Sequence, residues 1–431
     1  MTDAVLTIRP SASAWRPTRH GSVLARRALG LPDGPGPLIM SGHQAECWHA
    51  GILAKRLVLP EGRSAWVVVD QDTNDPLEVA YPGPGPTRAV WRIGTEAPDV
   101  PTASRGTTRV GDVPGDAGPE SAAAGLLSLK RSLERHAGET TLARQVGRAV
   151  ESLVMERIAG AAGTALVFAT ALAATARFGE LVDRMRRDPV ACVSAYNAAA
   201  AANPRARLRA LATAGGRVEL PLWRLTRGMA RSPVYSDELR PGEMAGLAPR
   251  ALFMTGLLRL DLCDLFVHGL GGEVYDPATE QWLSVWLGEG ARLAPTAMVT
   301  ATLRLPFAAR VMTPEEIDRA RWLAHHATHD PAAVGDDRWA GERDAALARV
   351  RAATGRAEKR LAYLALRDVV GRYREARAGS LTELASRGIE AGAHRARAKV
   401  VHDRTWPWVL HGDGSLRDLS RRAAEAMAGA S

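Results

Sequence analysis

The sequence predicts an α/β fold with a parallel-sheet core, a helical insertion in that core and a C-terminal helical arm. Two short apolar runs, at 37–41 and 65–69, have the length and composition of buried strands. The stretch 49–59 between them carries its apolar residues at helical spacing. Strand, helix and strand in this order predict a βαβ unit, whose parallel strands are covered on both faces.

The expected domain order follows from where these patterns begin and end. Residues 1–36 are polar and proline-rich, which predicts an N-terminal arm with one short helix near 23–29. The core is expected at 37–306. Within it, about 119–202 has a helical pattern throughout, which predicts a helical insertion.

The rest of the core is expected to supply further strands. These are predicted at 88–93, 217–225, 231–236 and 296–306. We interpret 250–288 as a strand, a short helix and a strand ending at Val267, followed by a glycine-rich turn and a helix from Pro277.

After residue 306 the hydrophobic pattern is helical alone. Residues 307–403 contain long amphipathic helices with alanine-rich faces and mixed charges, which favour an antiparallel hairpin or a coiled-coil arm. Thr313 is the expected N-cap of the first of them, since Pro314 follows it. The apolar segment 404–431 is expected to dock back on the core.

Composition excludes several classes of protein. The net charge of +9 comes almost entirely from arginines scattered among alanines, and aromatic residues are only 5%. Nucleic-acid binding would require basic residues interleaved with aromatics or a known module, so we expect no nucleic-acid partner. Membrane-spanning apolar runs and a secretory signal are both missing from the pattern, which predicts a cytoplasmic protein without a membrane partner.

The first cluster of candidate site residues follows the first strand. A glycine there lets the backbone approach a ligand closely, and the start of the next helix favours anions. The cluster therefore predicts a cradle for an anion or a nucleotide, although neither standard phosphate-binding glycine motif is present. The alternative is a polar turn with capping residues. Its members are Ser41, Gly42, His43, Gln44, His49, Gly51 and Lys55.

The second cluster is acidic and follows the second strand. It contains Asp70, Asp72, Asn74 and Asp75. Carboxylates at a strand end can bind ribose hydroxyls or an ammonium group, or accept a proton as a general base. Oxygen ligands of this type also suit magnesium, but the calcium-loop spacing fails and no metal site is predicted. The alternative is a solvated turn.

The third cluster is rich in glycine and follows the strand that ends at Val267. Its glycines predict a tight backbone turn, and the polar residues after them are expected to enter the same crevice as the first two clusters. The alternative is a plain loop. Its members are His268, Gly269, Gly271, Gly272, Glu273, Tyr275 and Asp276.

These three segments, "SGHQAECWHAGILAK", "VVVDQDTNDPLEV" and "LFVHGLGGEVYD", resemble in this order three blocks of the bacillithiol biosynthesis cysteine-adding enzymes. The resemblance covers the α/β core, and extends to the helices only in kind. In that family the blocks read like G-Q-Q-A-G-x-x-x-G-P-L-Y, G-E-D-H-D-x-x-E and Y-V-G-G-P-G-E-x-x-Y. The matching positions here are His43, Gln44 and Gly51, then Asp70 to Asp75, then Gly271, Gly272, Glu273 and Tyr275.

The resemblance implies a Rossmann-like core with helical insertions and a coiled-coil arm that can form a homodimer. It also implies a ligase that joins L-cysteine to the amino group of glucosaminyl-malate or a similar amino sugar. A site for ATP or another nucleotide is implied by the similarity of that fold to nucleotidyl-transferring synthetases. Cysteine and the amino sugar are then the small-molecule partners.

Roles for the candidate residues follow from the needs of amide formation. We expect the first turn and Lys55 to hold an anionic group, while His43 or His49 stabilises charge on the leaving oxygen. Asp70 or Asp72 would bind the cysteine ammonium group or accept a proton from the attacking amine.

The second substrate would be positioned by Glu273 and Tyr275.

Two other functions stay open on the sequence alone. One is a nucleotidyltransferase or hydrolase on the same core, because His49-Ala50-Gly51 is similar to part of the HxGH turn of adenylyl-transferring enzymes. The other is a non-catalytic protein whose helical arm is the working part.

Overall fold

The computed structural model describes residues 4–18, 20–85, 87–95, 97, 99–288, 291–307 and 312–429. By the density of internal contacts, the chain divides into two units. The first consists of Met1–Gly83, Arg88–Pro306 and Arg404–Ser431, and the second of Pro84–Thr87 and Phe307–Asp403.

The largest sheet in the described part of the chain has six strands and lies in the first unit. Neighbouring strands run parallel except at one edge, where β1 is antiparallel to β12. In spatial order its strands are β1 (Val5–Arg9), β12 (Thr296–Thr302), β11 (Leu265–His268), β2 (Ile39–Gln44), β3 (Ser64–Val69) and β6 (Ala165–Phe168).

The chain order of this sheet reverses between β2 and β11. From β2 the sheet grows through β3 to β6, and on the other side it grows from β11 to β12. The register pairs Ser41 with Val267 and Gln44 with Val69, so the carboxyl ends of these strands meet at one edge. Ligands of open parallel sheets bind where the strand order reverses in this way.

The inner strands form because they are apolar on both faces. Met40, Trp66 and Val267 are fully buried, as expected of parallel strands covered on both sides. The structure confirms the predicted strands at 37–41 and 65–69 and the helix between them, α2 (Ala50–Leu57). The strand predicted at 296–306 is also confirmed as β12.

Helices cover the sheet and form most of the insertion. The prediction of a wholly helical insertion was wrong at one place, because Ala165–Phe168 forms β6 at the edge of the main sheet. A four-residue strand between alanine-rich helices is too short to change the local periodicity. The helices of the first unit are α1 (Val23–Ala28), α2 (Ala50–Leu57), α3 (Glu120–Arg135), α4 (Leu142–Arg157), α5 (Ala176–Arg187), α6 (Pro189–Ala202), α7 (Ala251–Leu257), α8 (Leu270–Leu287) and α13 (Asp413–Ala428).

Two further expectations need correction. The N-terminal segment has the predicted short helix α1, but it also supplies β1, which pairs with β12 from Val5 to Arg9. The strand expected near residue 250 is instead the helix α7. Its apolar residues are buried all round, and a short apolar run of that kind does not distinguish a strand from a buried helix.

Two smaller sheets accompany the main sheet, and all but one of the residues in their strands belong to the first unit. The predicted strand at 88–93 exists, but it pairs in a hairpin and does not join the main sheet. The hairpin consists of β4 (Glu78–Gly83) and β5 (Thr87–Arg92). The other sheet consists of β7 (Thr213–Ala214), β8 (Arg217–Arg224), β9 (Ser232–Tyr235) and β10 (Leu247–Pro249), all antiparallel.

The second unit is helical. Thr313 caps its first helix in a complete capping box with Glu316, which confirms the predicted helix start. Ile317, Ala391 and Ala398 form a small buried core between the first and last of its helices. None of the helices in the described residues is long and apolar enough to cross a membrane. The helices of the second unit are α9 (Pro314–His326), α10 (Asp337–Ala352), α11 (Arg356–Ala376) and α12 (Ala378–Val401).

Candidate functional site

A cavity of about 390 Å³ opens at the edge of the sheet where the strand order reverses. We call it the switch-point cavity. Its volume lies within the range of small-molecule sites, roughly 300–1,000 Å³. Twelve predicted site residues line it, and they come from all three sequence clusters: Gly42, His43, Gln44, His49, Gly51, Lys55, Asp72, His268, Gly269, Gly271, Gly272 and Tyr275.

The start of α2 is held by His49. This residue is the N-cap, and its Nδ1 atom accepts a hydrogen bond of 3.0 Å from the Gly51 amide. Burial lowers the pKa of His49 to about 4, so the ring is neutral near pH 7. Because Nδ1 is the acceptor, the proton of the neutral ring resides on Nε2. His49 is therefore a hydrogen-bond donor at the cavity wall.

Gly51 has no room for a side chain. A Cβ atom there would lie 2.7 Å from Cε1 of His49 and 2.8 Å from the hydroxyl oxygen of Thr300. Both of these residues line the cavity. A glycine at this position keeps the His49 ring and the start of α2 in close contact.

Lys55 is a buried cation without a carboxylate partner among the residues that the structure describes. It is 4% exposed, and its Nζ atom donates a hydrogen bond of 2.6 Å to the carbonyl oxygen of Gly42. The amine also lies 5.3 Å from the ring centre of Trp66. Burial lowers the pKa of Lys55 to about 7. An anion in the cavity would supply the missing opposite charge.

His43 stands at the end of β2. Its Nε2 atom is 2.9 Å from an oxygen of Glu46, three residues further along the chain. Burial is the largest influence on its pKa and lowers it, against the opposing effect of Glu46. His43 and Lys55 thus face the same cavity from the end of one strand and from the following helix.

The glycine-rich third cluster is helical, and the prediction of a tight turn there was wrong. Helix α8 begins at Leu270, with Gly269 as its N-cap. The sequence predicted that this helix would begin at Pro277, which instead lies inside it. Gly272 is required by close packing, because a Cβ atom would lie 2.2 Å from Nδ1 of His268. Sequence reasoning read the glycines as a turn because helical glycine is locally unfavourable.

The first turn of α8 borders the cavity through Gly269, Leu270 and Gly271. The first amide groups of a helix have no partner inside the helix, and its N-terminus carries a partial positive charge. The start of α8 therefore contributes to the cavity, whereas the Gly51 and Ile52 amides of α2 already donate to His49. Together with Lys55, the start of α8 makes the cavity a favourable place for an anionic group.

His268 and Asp276 form a buried pair below this turn. Nε2 of His268 lies 2.8 Å from Oδ2 of Asp276, without hydrogen-bond geometry. The buried Arg259 lies 3.5 Å from the other oxygen of Asp276. Asp276 does not line the cavity, so its role is to hold His268 and Arg259. Tyr275 does line it, and burial raises the pKa of its hydroxyl to about 12.

The structure brings only one residue of the acidic second cluster to the cavity lining. Asp72 lines the cavity, where Oδ2 accepts a hydrogen bond of 3.2 Å from Gln44 and Oδ1 lies 2.9 Å from Arg231. Asp70 lies away from the cavity lining. Its two oxygens accept hydrogen bonds of 2.9 and 2.6 Å from the amide and hydroxyl of Thr170. Burial raises the pKa of Asp70 to about 6.

Four more predicted residues also lie outside the cavity lining. The hydroxyl of Ser41 is fully buried and donates to the carbonyl oxygen of Val267, which ties β2 to β11. Asn74 donates to the carbonyl oxygen of Ala45.

The other two are Asp75 and Glu273. Asp75 pairs with Arg92 at 3.0 Å and with Arg105 at 3.5 Å. The Glu273 side chain is 46% exposed, and its nearest cation is Arg9 at 3.9 Å. These two carboxylates therefore contact solvent or neighbouring arginines and are not brought to the cavity.

Sequence reasoning missed several lining residues. Arg404 lines the cavity from the segment after the helical arm, and its Nη1 donates to Thr302 at 3.3 Å. Thr300 from β12 and Thr255 from α7 add hydroxyl groups. A weak signal existed for Thr300, because β12 was predicted and its alternate residues face one side of the sheet. Arg404 carries no local signal, since only the fold brings it to the strand ends.

Among the described residues, no group of three or more histidine, cysteine or acidic side chains is placed to hold a metal ion. Most polar groups of the cavity are of the kinds that bind organic anions, namely an ammonium, a guanidinium, imidazoles and hydroxyls, and Asp72 adds one carboxylate. Comparison of the chain with protein-family models finds no match, and comparison with curated proteins finds none either.

Proposed function

We propose that the protein is a carbon–nitrogen ligase that forms an amide between the carboxyl group of L-cysteine and an amino-sugar amine. The observation that supports the proposal most is the convergence of Lys55, His49 and Asp72 on one cavity at the reversal of strand order. Such a cavity offers binding groups for an anion, a neutral hydrogen-bond donor and a carboxylate. The cysteine specificity rests on the sequence resemblance.

The anion-binding part of the proposal rests on charge. Lys55 has no carboxylate partner among the described residues and Arg404 lines the same cavity. The start of α8 adds amide groups to this wall. We propose that these groups hold the phosphates of a nucleotide such as ATP, or the carboxylate that is to be activated. No metal ion is part of the proposal.

The chemical part of the proposal assigns a proton acceptor and a donor. Asp72 is the one carboxylate of the second cluster that lines the cavity, so we assign it to the amine, either binding its ammonium form or accepting its proton. His49 is neutral near pH 7 with its proton on Nε2, which suits hydrogen bonding to charge that builds on the leaving oxygen. His43 is assigned to the same task, and Tyr275 to the second substrate.

The fold of the first unit supports the proposal at a coarser level. A parallel sheet whose order reverses at the cavity is the arrangement of Rossmann-like folds. We therefore propose that the core is Rossmann-like. A fold of this kind hosts many unrelated activities, so the assignment of a ligase depends on the residues in the cavity.

The proposal is tested by following amide formation. Purified protein would be incubated with ATP, cysteine and glucosaminyl-malate, and the cysteinyl amide measured by mass spectrometry. We expect product, and we expect His43→Ala to lower its rate by about 10²-fold, the low end for loss of a catalytic proton-transfer or charge-stabilising group.

The matched control is His136→Ala. His136 is a partly buried histidine at the C-cap of α3 that bonds Ser152 outside the cavity. Its variant is expected to form product at the wild-type rate. Unchanged product formation by His43→Ala would remove His43 from the mechanism, and no cysteine-dependent product from the wild-type protein would reject the ligase.

A second candidate function is nucleotidyl transfer to another small molecule in the same cavity. The observation that favours it is His49, which caps α2 with Nδ1 and presents a neutral ring at the cavity wall. ATP–pyrophosphate exchange in the absence of cysteine would favour this function over the ligase. A non-catalytic protein is the outcome if neither ATP nor cysteine raises the unfolding temperature.

We further propose that the second unit is a coiled-coil arm that forms a homodimer. Leu361 and Leu364 on α11 and Ile389 on α12 are exposed by 69%, 48% and 76%. Apolar residues in such positions are typical of surfaces that associate. Sedimentation of the wild-type protein as a dimer, and of Leu361→Glu as a monomer, is the expected result. A wild-type monomer would reject the proposal.

A further inference from the structure

A second cavity, of about 230 Å³, adjoins the switch-point cavity. The two share Val69, Asp72 and Ala251 as wall residues. The charged residues of its lining are Asp72 and three arginines, Arg209, Arg231 and Arg250. We call it the arginine cavity. It lies in the first unit, between the end of β3 and the small antiparallel sheet.

Hydrogen bonds from one nitrogen of its guanidinium group hold the Arg231 side chain in place. Its Nη1 atom donates to the carbonyl oxygen of Gln71 and to Oδ1 of Asp72, both at 2.9 Å. The guanidinium carbon also lies 4.4 Å from the ring centre of Trp223. These contacts fix the plane of the guanidinium group before any ligand binds.

The other edge of Arg231 has no partner in the described part of the chain. Neither Nε nor Nη2 makes a hydrogen bond there, and the side chain is 22% exposed. These two N–H groups point in the same direction and match the spacing of two oxygens on a carboxylate or a phosphate. A guanidinium group with one edge fixed and the other available is a preorganised anion receptor.

Two more polar groups of the lining have unused capacity. Arg250 is buried and uses Nε for the carbonyl oxygen of Leu222 and Nη2 for Glu219, which leaves Nη1 without a hydrogen bond among the described residues. Gln71 is 3% exposed, and its Oε1 oxygen has no partner there. A buried acceptor without a partner is costly, so it points to a ligand that donates a hydrogen bond, such as a hydroxyl group.

We propose that the arginine cavity binds a small hydroxylated molecule that carries a carboxylate or a phosphate group. The anion sits on the Nε–Nη2 edge of Arg231, and a hydroxyl of the ligand donates to Gln71. The volume equals that of about eight liquid water molecules, which suits a small acid. The site shares Asp72 with the switch-point cavity, but the proposal of anion binding here does not depend on the ligase activity.

Three probes of one carbon skeleton test the proposal on the full-length protein. Glycerol 3-phosphate, glycerate and glycerol would be titrated by calorimetry. We expect at least one of the two anions to bind and glycerol not to bind, and the anion that binds identifies the source of the charge as phosphate or carboxylate. Equal binding of glycerol, or binding of none of the three, overturns the proposal.

Variants identify the cavity that is occupied. Arg231→Lys keeps the charge but loses the paired N–H edge, so we expect anion binding to weaken about tenfold. Arg217→Lys is the matched control, since Arg217 also lies over an aromatic ring, Tyr235, and pairs with Asp237, but outside the cavity lining. It is expected to bind the anion like the wild-type protein.

Lys55→Met separates this site from the switch-point cavity. Anion binding that this variant preserves and Arg231→Lys weakens supports the arginine cavity. Binding that is lost in Lys55→Met and kept in Arg231→Lys places the anion in the other cavity and overturns the proposal, whatever the outcome of the ligase assay. Unfolding temperatures of both variants within a few degrees of wild type show that the fold is kept.

Discussion

The ends of β2 and β3 are neighbours in the sheet and look equally functional in the sequence, but the structure uses them differently. In the C-terminal half of β2, Gly42, His43 and Gln44 all line the switch-point cavity. After β3, Asp72 lines it, whereas Asp70 bonds Thr170. Polar residues at a strand end are therefore not a site in themselves.

The difference lies in where each polar group finds its partner. Both oxygens of Asp70 are satisfied inside the protein by one threonine. The Lys55 ammonium group, by contrast, has only the Gly42 carbonyl oxygen as its hydrogen-bond acceptor within the described residues. A buried charge without an opposite charge is unfavourable until a ligand supplies one. The end of β2 is therefore the better place to look for ligand binding.

The largest expected effect separates the two acids that follow β3. Asp72→Asn should lower the rate of cysteine-dependent amide formation by about 10²-fold or more, since it removes the proposed proton acceptor. Asp70→Asn should leave the rate unchanged, because an asparagine can keep both contacts with Thr170. The rates would be measured by mass spectrometry of the product. A loss in Asp70→Asn as large as in Asp72→Asn would contradict the comparison.

The next effect concerns the buried amine of Lys55, which bonds Gly42 in β2. Lys55→Met should weaken binding of sulfate, the simplest probe of an anion site, by about 30-fold or more, because removing a buried charge partner costs roughly 2 kcal/mol or more. Calorimetric titration measures it. Lys130→Met serves as the control, since Lys130 lies on α3, outside the cavity, and pairs with Asp112. Equal affinities of wild type and Lys55→Met would show that sulfate does not bind at Lys55.

The pH dependence of the same titration sharpens the assignment. Lys55 has a pKa of about 7 through burial, and a bound anion stabilises the ammonium form and raises that pKa. Binding therefore takes up a proton above pH 7, and sulfate affinity should fall by up to about tenfold per pH unit as the pH rises from 7.

Two histidines of the cavity, His43 and His49, are expected to stay neutral in this pH range. Burial lowers the pKa of both His43 and His49, so neither ring gains or loses charge above pH 7. Sulfate itself does not titrate there. The Lys55→Met variant should show a flat profile, and a wild-type profile that is equally flat would exclude Lys55 as the source.

The smallest effect is expected at the far end of the acidic cluster. Asp75→Asn removes an ion pair with the half-exposed Arg92 and a longer one with Arg105. The pair with Arg92 is partly exposed and contributes little, but the Arg105 side chain is only 8% exposed, so the free energy of unfolding should fall by about 1–2 kcal/mol. Sulfate binding should not change. Urea unfolding together with the same titration checks both, and a binding defect would extend the site beyond Asp72.

Part of this fold could be predicted from the sequence because burial repeats over neighbouring residues. The apolar runs of β2, β3 and β12 and the helical spacing of α2 follow from that local repeat. β6 could not be predicted, since four residues within an alanine-rich region carry no clear period. The helical start of α8 was also hidden, because its glycines are needed for packing on His268.

The residues of the candidate site could also be predicted only in part. Twelve residues of the three sequence clusters line the switch-point cavity, because parallel strands bring their carboxyl ends to one edge. The clusters gave no indication of Arg404, or of Arg231 and the arginine cavity. Arg231 contacts Gln71 across 160 residues of chain, and no local pattern reports such a contact.

The sequence alone determined the α/β class, the βαβ unit and the strand ends at which polar residues collect, since these depend on hydrophobic periods and chain order. Only the tertiary structure decided which polar groups are satisfied internally, as Asp70 is, and which lack an opposite charge among the described residues, as Lys55 does. The physical reason is that partners of buried polar groups are chosen by long-range packing. Neighbours in the chain do not fix that choice.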